Sequence, residues 1–135
     1  MSDDSQTNNL TDVSRRILVI EDNFDSAEVL QTFLEIHGHE ITVKHNAADG
    51  LQAVNQIVPD VVICDISLSD ELDGYDVARE IKQNEQLRSI FLIALSGYGR
   101  IEDKEQAKSA GFDAHLVKPT DFNELLKLIA QFNYR

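Results

Sequence analysis

Val61-Val62-Ile63-Cys64-Asp65 is an apolar, β-branched run that stops abruptly at a carboxylate. Such a run reads as a strand buried on both faces, so Asp65 is expected where a central strand leaves the core. Ile17-Leu18-Val19-Ile20 ends the same way, in Glu21-Asp22. If both strands lie in one parallel sheet, three acids gather at one edge.

Outward from these two runs, strand patterns alternate with helix-period segments. Asp25–His37 carries Ala27, Leu30 and Leu34, flanked by Val29, Phe33 and Ile36, as a wide apolar stripe, and Gly38 is placed to stop that helix in the left-handed region. A second strand is expected at Ile41–Lys44. Asn46 then caps a helix in which Ala47, Leu51, Val54 and Val58 recur at helical spacing, and Pro59 ends it. After the Ser67–Gly74 loop, Tyr75–Gln83 buries Val77, Ala78 and Ile81. Ile90–Leu95 is the most apolar strand, and Ser96-Gly97-Tyr98-Gly99 reads as a turn. The helix at about Glu102–Ala110 offers only Ala107 and Ala110 to a core, so it is expected to be the most weakly held. Gly111 stops it. Ala114–Val117 is the fifth strand, and Asp121 and Glu124, in capping-box spacing, open a last helix that buries Phe122, Leu125, Leu126 and Ile129.

Five such β-α units predict an α/β fold, a parallel sheet with helices on both faces joined by right-handed crossovers. They are too few for an eight-stranded barrel. The expected architecture is a (βα)5 doubly wound, flavodoxin-like sheet with strand order 2-1-3-4-5, adopted by analogy, which makes strands 1 and 3 neighbours.

Composition narrows the function classes. The net charge of −12, from 24 acids against 12 Lys and Arg, disfavours direct nucleic-acid binding and docking on an anionic membrane. No apolar run approaches the ~20 residues that span a bilayer. Residues 1–14 are polar and aperiodic, lack the features of a secretory signal, and read as a disordered lead. A single cysteine, Cys64, is expected to be a small buried hydrophobe in a reducing, cytoplasmic setting.

Ligand sites in open parallel sheets lie beyond the carboxyl ends of the strands. Those ends read Glu21 and Asp22, Asp65, Ser96, and Lys118. Taken singly, each is an ordinary cap, turn or solvated residue; their coincidence at the ends of strands one, three, four and five is the signal. Two unit charges ~4 Å apart repel by roughly 4 kcal/mol at an effective dielectric of about 20. Three clustered carboxylates therefore call for raised pKa values or a cation. Lys118 supplies one charge, and Mg2+ favours carboxylates, water and phosphate oxygens. The pattern points to Asp65 as a nucleophile that forms an aspartyl phosphate, with Lys118 and the metal neutralising the phosphoryl oxygens and Ser96 donating a hydrogen bond to one of them.

The chain resembles the receiver domain of two-component response regulators from Ile17 to about Phe132. The resemblance is carried by Ile17-Leu-Val-Ile-Glu-Asp-Asn, Asp60-Val-Val-Ile-Cys-Asp, Asp73-Gly74-Tyr75, Leu95-Ser96-Gly97, Gly111-Phe112-Asp113-Ala114 and Val117-Lys118-Pro119. It implies a receiver domain over residues 15–135, Asp65 as phosphoacceptor, Glu21 in the acidic pocket, and Mg2+ held by Asp22, Asp65 and the backbone carbonyl of Ser67. It implies Ser96 as the hydroxyl switch, Lys118 as a phosphoryl contact and a cis bond before Pro119. The phosphodonor it implies is a histidine kinase or a histidine phosphotransfer protein. The output face would be the fourth helix, fifth strand and fifth helix, meeting a protein partner. No turnover of an external substrate is expected beyond self-phosphorylation and autodephosphorylation.

Three positions depart from the family pattern. Ser69 stands where a proline is usual, four residues after the phosphoacceptor. Gly74 comes nine positions after Asp65, so the loop with Asp70, Glu71 and Asp73 is one residue longer and more acidic. The rotating aromatic three residues before the lysine is His115, which titrates near neutrality and is read either as a switch or as a plain strand residue. Among rival readings, a flavin protein needs a phosphate-cradling loop where Glu21-Asp22-Asn23 would repel phosphate. An aspartate-nucleophile hydrolase wants a second acid at Ser67. A receiver-like module that is never phosphorylated is the third. With the sequence ending at Arg135, the expectation is either a stand-alone regulator or a receiver cut from a hybrid sensor kinase.

Overall fold

The computed structural model describes residues 13–69, 71–97 and 99–131. The expected disordered lead therefore lies, except for its last two residues, outside the described residues, as do Asp70 of the acidic loop and Tyr98 of the turn after the fourth strand. The elements alternate strictly: β1 (Arg16–Ile20), α1 (Phe24–Ile36), β2 (Glu40–Lys44), α2 (Ala47–Ile57), β3 (Val61–Asp65), α3 (Gly74–Gln83), β4 (Phe91–Ser96), α4 (Ile101–Ala110), β5 (Ala114–Val117) and α5 (Phe122–Gln131). All strand pairs are parallel, in the order β2-β1-β3-β4-β5. The expected five-stranded doubly wound sheet is thus observed.

Side chains alternate across each strand and divide the core into two layers. Leu18, Ile20, Val62, Cys64, Leu92 and Ala94 face α2, α3 and α4. Ile17, Val19, Val61, Ile63, Ile93 and Leu95 face α1 and α5. The two most apolar runs, β3 and β4, are buried along their whole length at the centre of the sheet, whereas β2 and β5 are half-buried edges. Asp65 pairs with Leu95 in the β3–β4 register, so the strand carries its carboxylate to the last ladder position.

The helix boundaries follow local chemistry. Asn23, Asn46 and Asp73 cap α1, α2 and α3 by accepting the N–H groups of Ser26, Asp49 and Asp76. At α3 the cap is reciprocal, since Asp76 also accepts the Asp73 N–H. Asp121 accepts the N–H of Glu124 as the spacing predicted. Gly38 and Gly111, at φ +93° and +117°, close α1 and α4 in the left-handed region.

The apolar stripe on α1 is narrower than periodicity implied. Ala27, Leu30 and Leu34 are buried, but Val29 and Ile36 face solvent, because a sheet-packed helix covers its stripe on one side only. On α5, Leu125 and Ile129 are buried while Phe122 and Leu126 pack at the margin. Helix α4 buries Ala107 and Ala110, leaves Ile101 exposed, and lacks a side-chain cap at Arg100. Its two buried alanines are the inward positions that its composition implied.

Spacing makes Val58 the last apolar position of the second helix, but it lies past the helix end. It has φ 44° and ψ 72° and is half exposed. The following Pro59 disfavours the right-handed helical region at 58, and a β-branched residue in the left-handed region is strained. Val58→Asn is expected to stabilise the fold by about 1 kcal/mol, since asparagine tolerates this conformation and little apolar burial is lost. Urea denaturation checks it; an unchanged or lower midpoint would mean the strain is absent.

Candidate functional site

The parallel order sets β1 and β3 side by side, with Ile20 opposite Cys64, so their next residues emerge at the same edge. Oxygens of Glu21, Asp22 and Asp65 there lie within 4.8 Å of one another. Glu21 and Asp65 are buried and Asp22 is half-buried. Lys118, delivered by the end of β5, reaches across: its Nζ lies 2.9 Å from Glu21 Oε1 and 2.8 Å from Asp65 Oδ2. The Lys118–Pro119 peptide bond is cis, as the resemblance implied. The remaining oxygens are also engaged, Asp65 Oδ1 accepting the Ser67 N–H at 2.8 Å and Glu21 Oε2 accepting the Asn23 N–H at 3.1 Å.

Charge follows from this packing. Burial raises the Glu21 pKa; the Asn23 N–H and Lys118 oppose the rise, and the nearby Asp65 adds to it. For Lys118, burial pulls downward, but its hydrogen bonds to Asp65 and Glu21 and their charges prevail and raise it. Three carboxylates against one ammonium leave two negative charges unmatched, the charge of one divalent cation. The donors are all oxygens, as a hard ion such as Mg2+ requires. The residues present therefore fit such an ion.

A raised carboxyl pKa fixes the sign of a pH effect. The stabilising contribution of Glu21 is present below the ordinary value of 4.5 and is lost as pH rises through the folded-state pKa. In chelator, the melting temperature of Glu21→Gln minus that of the native chain should therefore grow as pH rises above 4.5. A flat or falling difference contradicts the burial of a charged Glu21.

Ser96 and His115 come together on the far side of β4. Ala94 pairs with His115 in the β4–β5 register, and Ser96 Oγ lies 2.7 Å from His115 Nε2. His115 Nδ1 is buried with no hydrogen-bond partner among the described residues. Burial, with Lys104 nearby, lowers the pKa of His115 against a smaller opposing effect of Asp103, which favours the neutral ring. Thus Glu21, Asp22, Asp65 and Lys118 form one cluster, with Ser67 bonded to it through its N–H. Ser96 is instead paired with His115.

The two ends of the Ser67–Gly74 loop are held. Gly74 N–H donates to the Ile66 carbonyl at 3.0 Å, and Leu68 is buried. A cleft of about 320 Å³ runs between α1 and the β5–α5 connection, walled by Val29, Leu30, Pro119 and Phe122 and reaching Glu21 and Lys118.

The response regulator receiver domain family model matches residues 17–130. The chain is a response regulator receiver domain. Among proteins similar to this receiver, an uncharacterized 14.6 kDa protein of Leptolyngbya boryana is 32% identical over 116 residues, spanning 86% of this chain and 88% of that one. Protein PilH of Pseudomonas aeruginosa is 32% identical over 114 residues, 84% of this chain and 93% of its own. The receiver domain of a DNA-binding response regulator from Colwellia psychrerythraea has a similar structure, with a TM-score of 0.80 and 29% identity over 86% of this chain and 95% of that one.

One residue at the pocket was not anticipated. His45, just past β2, places Nδ1 2.9 Å from the Glu21 carbonyl oxygen and stacks on Phe24. The same rule that picked out the other strand ends applies to Lys44-His45-Asn46.

Proposed function

We propose that this receiver domain is a phosphorylation-dependent switch that accepts a phosphoryl group on Asp65 from a phosphohistidine of a histidine kinase or phosphotransfer protein. The observation that carries the reading is the position of Lys118, bonded to both Asp65 and Glu21 inside an acid triad with two unmatched charges. An Asp65 carboxylate oxygen attacks phosphorus, the P–N bond of the donor breaks, the imidazole leaves and takes up a proton, and an acyl phosphate remains. Lys118 then turns its ammonium from the carboxylate to the phosphoryl oxygens. Glu21, Asp22 and Asp65, with the Ser67 carbonyl, would hold Mg2+, which when bound neutralises phosphoryl charge. The cleft beside Lys118 gives a donor side chain an apolar approach to the acids.

Ser96 answers the phosphoryl group by leaving His115 to donate its hydroxyl hydrogen there. The neutral imidazole is then released from its Ser96 partner, and α4, with two buried alanines, is the element free to follow. The α4–β5–α5 face carries that change to a protein partner in the cytoplasm, with no external substrate turned over.

The test is incubation with acetyl phosphate and Mg2+, followed by intact mass and mapping of the modified residue. One added phosphoryl group on Asp65 is expected. No adduct, or an adduct elsewhere, overturns the reading and favours an unphosphorylated interaction module.

A further inference from the structure

The backbone around the acids has a fastening that the phosphoryl chemistry does not itself require. Glu21 N–H makes the last β1–β2 ladder bond, 3.0 Å to the Lys44 carbonyl. One residue later β2 turns away, because Asn46 caps α2 through Asp49. The carbonyl of buried Glu21 is thus left at the end of the ladder, and a buried carbonyl needs a donor. His45 provides it, through Nδ1 at 2.9 Å. A carbonyl oxygen only accepts, so Nδ1 carries the hydrogen.

The imidazole is held in turn by Phe24, the first residue of α1. The two rings are nearly parallel, 14° apart, with centroids 3.7 Å from each other. Phe24 remains largely exposed, so its ring contributes less to the core than to this stack. The turn Glu21-Asp22-Asn23 is therefore bracketed on both sides by one side chain. His45 bonds the carbonyl at its start and stacks on Phe24 just past its end, while the Glu21 carboxylate accepts Asn23 N–H from within. Asp22 sits in the middle of this turn.

We propose that His45, backed by Phe24, is a positioning residue for the acid pocket, holding Glu21 and Asp22 at the spacing that a divalent cation needs. This rests on the metal-assisted phosphoacceptor reading above. Groups that orient metal ligands from behind typically change affinity by 10–100-fold when removed. His45 acts here on the ligand backbone instead of on a carboxylate, so the lower end of that range applies.

The experiment is a titration of the full chain with MgCl2, followed by amide shifts of Asp22 and Asp65 in two-dimensional NMR. It uses the native protein, His45→Ala, His45→Asn and Phe24→Ala. An asparagine amide nitrogen sits close to where Nδ1 was and can restore the bond to Glu21. His45→Ala should bind Mg2+ about tenfold more weakly, His45→Asn should recover most of that loss, and Phe24→Ala should fall between. Metal-free melting temperatures, measured alongside, separate positioning from general destabilisation: His45→Asn and His45→Ala should differ more in affinity than in melting. A His45→Ala affinity within about twofold of native, or an equal loss in His45→Asn, overturns the proposal. A native chain that shows no saturable Mg2+ binding refutes the metal-site reading itself, and this inference with it.

Discussion

Asp65→Asn is expected to take up no phosphoryl group from acetyl phosphate and, in chelator, to melt above the native chain. The first result follows from removing the only nucleophile assigned to the site. The second follows from comparing charges. Asp65 is attracted to Lys118 at 2.8 Å, worth about 6 kcal/mol at an effective dielectric of 20. It is repelled by two carboxylates within 4.8 Å, at least about 3.5 kcal/mol each on the same scale. These nearly cancel. Two further effects decide the sign. Lys118 keeps 32% of its side chain in water, which screens the attraction, whereas the Glu21 and Asp65 side chains keep 2% and 6%, so their repulsion is less screened. The amide also removes the cost of burying a charge while still offering an oxygen to the Ser67 N–H. A gain of about 1 kcal/mol, roughly 3–4 °C, is the expected magnitude. Addition of Mg2+ should stabilise the native chain and leave Asp65→Asn little changed, by mass action. Differential scanning calorimetry with and without the metal checks both; a lower melting temperature for Asp65→Asn in chelator contradicts the charge balance.

Gly74→Ala should be the most damaging small substitution near the pocket. A Cβ at Gly74 would lie 2.5 Å from the Asp65 carbonyl oxygen and 2.7 Å from Ile66 Cα. Both obstacles are backbone, so no side chain can rotate away. Either α3 shifts outward or the end of β3 does, and overpacking of this kind costs roughly 1–3 kcal/mol. Moving α3 would also strain the Gly74–Ile66 hydrogen bond and the Asp73–Asp76 cap. Moving β3 displaces Asp65, the proposed phosphoacceptor. Folded Gly74→Ala is therefore expected to phosphorylate at least about tenfold more slowly, because a misplacement near 1 Å costs on that order or more. Urea denaturation and the acetyl phosphate rate measure the two effects separately. Stability within about 0.5 kcal/mol of native and an unchanged rate would show that the contact is readily relieved.

Much of the pocket was legible because it depends on strand ends, and strand ends follow from local pattern. Asp65, Glu21, Asp22 and Lys118 each stand where an apolar run stops, and a parallel sheet must bring such ends to one edge. The Ser96–His115 pair was half legible. Ser96 and His115 were both picked out, but their 2.7 Å contact is a consequence of β4–β5 register, which no local spacing encodes. His45 was missed for a related reason. Its role depends on how far the β1–β2 ladder runs before Asn46 turns the chain, a property of two segments together.

The alternation of apolar runs with helix-period segments determined the fold class, and the residues at the run ends determined the candidate chemistry. Both are short-range properties of the chain. Which exposed flank of α1 stays in water, where α2 ends at Val58, and which donor meets the Glu21 carbonyl were decided only by the tertiary structure. Each depends on burial and pairing between segments distant in sequence, where the need to partner every buried polar group selects one contact among several that local sequence allows.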